Sequence, residues 1–143
     1  YVDRDRSAWP RDGDTIRMAT EQLDFNSLMG EFREGATGWT GAPQDTVVGH
    51  VHLRVGDVDA AEAWWNEKQG FDTMVHYGGQ AVFLSSGGYH HHIGANVWRS
   101  RGAGPRDADR TGLSFVELNS KQATAESVAR DPWGTEIRVR PAA

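Results

Sequence analysis

The sequence predicts an α+β chain built on one βαβββ module and a second, weaker and shorter copy of it. Three observations carry that expectation. Residues 46–55 alternate apolar and polar, residues 57–70 carry a capped helical stripe, and paired glycines divide 71–98 into three further strands. The 143 residues suffice for about one domain with a real core. Lys plus Arg is 15 and Asp plus Glu is 20, a formal charge of −5. That balance argues against the clustered basic face of a nucleic-acid binder and against a polybasic membrane anchor. No run approaches the ~18 apolar residues of a membrane span. With no cysteine, disulfides, thiolate metal sites and cysteine nucleophiles are excluded, and a reduced, cytoplasmic setting fits.

Residues 1–45 are rich in Asp, Arg, Gly and Pro and read as a linker with one short helix. Leu23, Phe25, Leu28, Met29 and Phe32 have helical spacing there, with Asp24 or Asn26 as cap. Tyr1-Val2-Asp3 reads as the tail of a strand already under way, so the chain is expected to be a fragment or a processed half. From Thr46 the pattern sharpens. Val51, Leu53 and Val55 share one strand face, and His50, His52 and Arg54 share the other.

Asp57 offers an N-cap, Val58, Ala61, Trp64, Trp65 and Lys68 form the helical stripe, and Gly70 stops it. Phe71–Tyr77 and Gln80–Leu84 form a hairpin about Gly78-Gly79. Ser85-Ser86-Gly87-Gly88 turns the chain into a fourth strand, Tyr89–Trp98. The second copy, 111–143, is expected to hold a strand Leu113–Leu118, a helix about Gln122–Ala129 and a strand Thr135–Val139. It looks incomplete. Either the module is degenerate or a disordered stretch is missing from it; the second is expected, because two bare strands and a helix would leave sheet edges open.

The chemistry concentrates in histidine. His50 and His52 share a face of the first strand. Strict alternation gives His90, His92, Asn96 and Trp98 one face of the fourth strand, and His91, Ile93, Ala95 and Val97 the other. On a concave sheet with polar faces inward, imidazoles from two strands would converge. Imidazole suits Zn, Fe, Ni and Cu, and two His with one carboxylate form the facial triad of non-haem iron oxygenases. The competing account is a solvated strand face and a loop of edge histidines. Spacing does not name the carboxylate. Gly78-Gly79 and Gly87-Gly88 lack the strand-then-helix context of a phosphate loop, and Ser85, Ser86 and Ser114 lack a nucleophile elbow.

Gly49-His50-Val51-His52-Leu53-Arg54-Val55-Gly56-Asp57, followed by a helix and Gly70-Phe71, resembles the opening module of the glyoxalase/bleomycin-resistance/extradiol-dioxygenase (vicinal oxygen chelate) superfamily. The run Gly87-Gly88-Tyr89-His90-His91-His92-Ile93-Gly94-Ala95-Asn96-Val97-Trp98 is more specific. It resembles the C-terminal half of two-domain catechol-2,3-dioxygenase-like proteins. Residues 1–20, with Asp3-Arg4, Trp9 and Arg11-Asp12, resemble the segment leaving the N-terminal domain of such proteins. The likeness implies paired βαβββ modules forming a curved, partly open mixed sheet about a metal that substrate oxygens chelate.

It also implies His50 and His92 as metal ligands, with Fe(II) favoured over Mn, Ni or Zn. By the same likeness His52 is the acid–base or supporting group, and Tyr89, His90, Asn96 and Trp98 contact the substrate, a small aromatic diol that reacts with O2. Where the family often has His and Glu in the partner module, this chain has Phe115 and Arg138; Glu117 and Glu136 are the nearby carboxylates. The remaining ligands are therefore expected from a missing N-terminal domain, in a protein that forms homo-oligomers. Two alternatives stay open: a glyoxalase-type metalloenzyme without oxygen chemistry, and a non-catalytic drug-sequestering protein using Trp98 and Trp133.

Overall fold

The computed structural model describes residues 5–19, 21–30, 32 and 38–142, so the strand remnant expected at Tyr1–Asp3 lies outside the described residues. The chain divides into two units, 1–49 and 50–143. The first holds little regular structure. A 3-10 turn at Arg6–Ala8 is capped by Asp5, which accepts from the Ser7 amide. A short antiparallel pair follows, β1 (Arg11–Asp12) with β2 (Thr15–Ile16). Helix α1 (Phe25–Gly30) has Asp24 Oδ1 accepting from Ser27 N at 3.0 Å, as the sequence predicts. Its apolar stripe stays exposed.

The second unit begins with the βαβββ module. Its elements are β3 (Val51–Arg54), α2 (Val58–Gln69), β4 (Asp72–Tyr77), β5 (Ala81–Ser85) and β6 (Ile93–Asn96). Helix α2 starts where the Asp57 carboxylate accepts from Ala60 N at 2.8 Å, which satisfies one orphan amide of the first turn. It ends at Gly70, whose left-handed φ of 65° lets its amide reach back to Asn66 and Trp65 carbonyls. Gly78 and Gly79, both at positive φ (55° and 64°), turn β4 into β5, the mirror-image turn that suits a twisted hairpin.

The sheet order is β3-β6-β5-β4, with β3 and β6 parallel and the other pairs antiparallel. One face buries Leu53, Val55, Val82, Leu84, Ile93 and Ala95 with Trp65 of α2. Trp65 is 1% exposed, so the helix is held by its tryptophan more than by its modest stripe.

The second module differs from expectation. Residues 122–129 form no helix; β7 (Phe115–Ser120) is followed by a strand, β8 (Ser127–Arg130), and then β9 (Glu136–Pro141). The sheet runs β7-β9-β8, with β7 and β9 parallel and β8 antiparallel to β9. These are the counterparts of β3, β6 and β5. The short segment 121–126 replaces a helix and an outer strand. The hairpin is closed by Asp131, whose Oδ1 accepts from Trp133 N at 3.0 Å and Thr135 N at 2.7 Å. Val116 and Ile137 of this sheet join the same hydrophobic core as the first. Few helices and two open mixed sheets make the unit α+β. Among the described residues, no helix is long and apolar enough to cross a membrane.

Candidate metal centre

Because β3 and β6 lie in parallel register, His52 stands opposite Gly94, and Leu53 stands opposite Ala95 on the core side. His52 therefore occupies the face away from helix α2, together with Phe83 of β5, which pairs with Gly94. The missing side chain matters here. A Cβ on Gly94 would lie 3.1 Å from the His52 ring, so the imidazole lies flat across the strand at the one residue that leaves room.

Three imidazoles meet on this face. His50, His52 and His91 each offer a ring nitrogen, and these atoms all lie within 4.8 Å of one another. The Nε2 atoms of His52 and His91 are 3.2 Å apart. Two nitrogens that share a tetrahedral ion at ~2.0–2.1 Å each stand about 3.3 Å apart, so the spacing suits joint coordination. His50 and His91 rings are 4.3 Å apart, and Phe83 backs His91 with an edge contact at 4.9 Å. Partial burial, with the nearby His50 as a second cause, holds the His52 pKa below its ordinary value, a shift towards the neutral form in which a histidine ligates.

The structure brings His91, not His92, to the cluster. Strict alternation fails because the chain bends at His92, before β6 begins at Ile93. His92 turns instead to the preceding loop. Its Nδ1 accepts from Ser86 N at 3.3 Å and lies 3.1 Å from Ser85 Oγ, while Tyr89 and Phe71 flank the ring at 4.7 and 6.0 Å. His90 Nδ1 lies 2.8 Å from His91 Nδ1, and Tyr89 stacks on His90 at 4.0 Å.

Asn96 is buried, and its Oδ1 has no hydrogen-bond partner among the described residues; in register with Arg54, it shares the His52 face. Trp98 lies beyond the strand and is exposed. Gly94 gives the His52 ring its room through the strand pairing, but the run His90-His91-His92 does not by itself single out His91.

The equivalent face of the second sheet is built differently. Arg138 lies over the Phe115 ring at 3.7 Å and pairs with Glu136 at 2.7 Å. Arg140 pairs with Glu117 at 3.2 Å. Both carboxylates are thus engaged by arginine, and neither belongs to the histidine cluster.

A βαβββ module with its first and last strands paired in parallel, followed by a sheet that repeats this pairing, is the arrangement that the resemblance to the vicinal oxygen chelate superfamily implies. The chain is 42% identical over 120 residues to a protein named catechol-2,3-dioxygenase from Bacillus subtilis (strain 168), a match covering 82% of this chain and 41% of that protein. The chain thus spans about two fifths of that relative's length. A lactoylglutathione lyase structure from Agrobacterium tumefaciens superposes with a TM-score of 0.46 at 17% identity, covering 68% of this chain and 93% of that one. No protein-family model matches.

Proposed function

We propose that this module takes part in metal-dependent, extradiol-type ring cleavage of a catechol-like diol with O2. Two supports meet in that reading: the kinship to a protein named catechol-2,3-dioxygenase and the cluster of His50, His52 and His91. The cluster is the observation that carries it. Three imidazoles fit a divalent first-row ion, with iron favoured by the kinship and Mn, Ni or Zn as the lesser choices. When bound, such an ion supplies Lewis acidity to the diol and a template and electron path between diolate and O2.

The chain's own residues would do the rest. His50, His52 and His91 hold the ion. Phe83 forms an apolar wall behind His91 and keeps water from that side. The Asn96 Oδ1 offers an acceptor for a substrate hydroxyl on the same sheet face. A carboxylate, if the site uses one, would come from outside the cluster, in line with the expectation of an N-terminal domain that completes it.

One observation favours a second reading. At the positions where the family carries partner-module ligands, Phe115 and Arg138 are engaged with each other, which suits ligand binding without a metal. Metal content and oxygen uptake with catechol, on anaerobically iron-loaded full-length protein, separate these. Near-stoichiometric iron with O2 consumption and a yellow ring-opened product supports cleavage. Bound metal without O2 uptake would move the assignment to glyoxalase-type chemistry, and ligand binding with no metal would move it to sequestration.

A further inference from the structure

We propose that His90 is a positioning residue that sets the metal-ligating tautomer of His91; this rests on the metal-centre reading above. The argument begins with the two nitrogens of the His91 ring. Nε2 faces His52 Nε2 at 3.2 Å, inside the cluster, and Nδ1 faces His90 Nδ1 at 2.8 Å, outside it. A neutral imidazole carries one N–H. For Nε2 to offer its lone pair to an ion, the proton must sit on Nδ1, and there His90 Nδ1 is the acceptor at hydrogen-bond distance. His90 in turn must carry its own proton on Nε2.

The opposite tautomer has a partner too. With its proton on Nε2, His91 would donate to His52 and lose the nitrogen that faces the cluster. His91 is 9% exposed, so its N–H has little access to water, and His90 Nδ1 and His52 Nε2 both stand at hydrogen-bond distance from its ring. His90 tips that choice. Its ring is stacked on Tyr89 at 4.0 Å with 31° between planes, which fixes the direction of the Nδ1 lone pair. Outer partners of this kind orient a ligand histidine, and their loss typically costs ~10–100-fold in metal affinity.

The test uses ring-nitrogen NMR of the metal-free chain, together with a Co(II) titration followed by its visible spectrum. Asn places its Oδ1 near the position of the His Nδ1, so H90N keeps the acceptor, while H90L removes it. The expected result is Nδ1–H on His91 in wild type and H90N, and Nε2–H in H90L. Co(II) affinity should fall ~10–100-fold in H90L and stay within about threefold in H90N. Nε2–H on His91 in the wild type overturns the proposal, and this spectrum decides the matter even where H90L does not fold. Wild-type Co(II) binding that H90L leaves unchanged removes the role of His90 alone. No Co(II) binding by the full-length wild-type protein overturns the metal centre itself, and with it the purpose of the tautomer.

Discussion

The two sheets of the second unit share one connection and differ in what surrounds it. Each pairs its first and last strands in parallel, β3 with β6 and β7 with β9. The first sheet keeps the helix and outer strand, buries Trp65 on one face and gathers imidazoles on the other. The second replaces helix and outer strand with residues 121–126 and covers its polar face with arginine–carboxylate pairs. The parallel pair is therefore the part of the module that survives shortening. The histidine face demands more: a glycine opposite one histidine, and a loop that delivers another.

That contrast is broken most forcefully through the helix. Trp65→Ala should cost about 3–5 kcal/mol in urea denaturation, because a fully buried indole leaves a cavity that the sheet cannot close. Val128→Ala, on the edge strand of the second sheet and 65% exposed, should stay within about 0.5 kcal/mol. Equal costs would mean that the two sheets contribute alike to the core.

Gly94→Ala should cost about 1–3 kcal/mol by overpacking against the His52 ring and should weaken metal binding at the same time. An unchanged metal affinity would show that the ring does not need its flat seat.

The Asp131 hairpin gives the second sheet a pH signature. Burial raises the Asp131 pKa, against the lowering effect of the backbone amides of Thr135, Trp133 and Gly134 and of the Thr135 side chain. The folded state then holds this proton to higher pH than the unfolded chain, whose value is about 3.9. The contribution to stability is full below that value and is lost as pH rises through the folded pKa. Asp131→Asn keeps the Oδ1 acceptor and removes the charge. Relative to it, the wild type should lose stability on going from pH 4 to neutrality. A difference that does not change with pH would refute the burial argument.

The smallest effect is expected from Arg140→Ala. It opens a half-exposed pair with Glu117, worth about 0–1 kcal/mol, and the remaining difference should shrink in high salt.

Much of the first module was legible. Asp57, Gly70 and Gly78-Gly79 announce the helix ends and the hairpin because caps and positive-φ turns select few residue types. Two features were not. Residues 122–129 favour a helix locally, with Gln122, Ala123, Ala125, Glu126 and Ala129, yet four ladder pairs with β9 draw Ser127–Arg130 into a strand. In the histidine run, alternation assigns His92 to the site face, and the bends at His90 and His92 bring His91 there instead. Period-2 reasoning holds inside a ladder and fails one residue beyond its end.

The central claim is that the ion is held by His50, His52 and His91, and the most direct test is a metal titration of His91→Ala beside His92→Ala. The account predicts that His91→Ala loses more than the ~10–100-fold typical of an outer partner. His92→Ala should keep near wild-type affinity while losing about 1–3 kcal/mol of stability, because the Ser86 amide loses its acceptor. The reverse pattern, with affinity lost in His92→Ala and kept in His91→Ala, would contradict it.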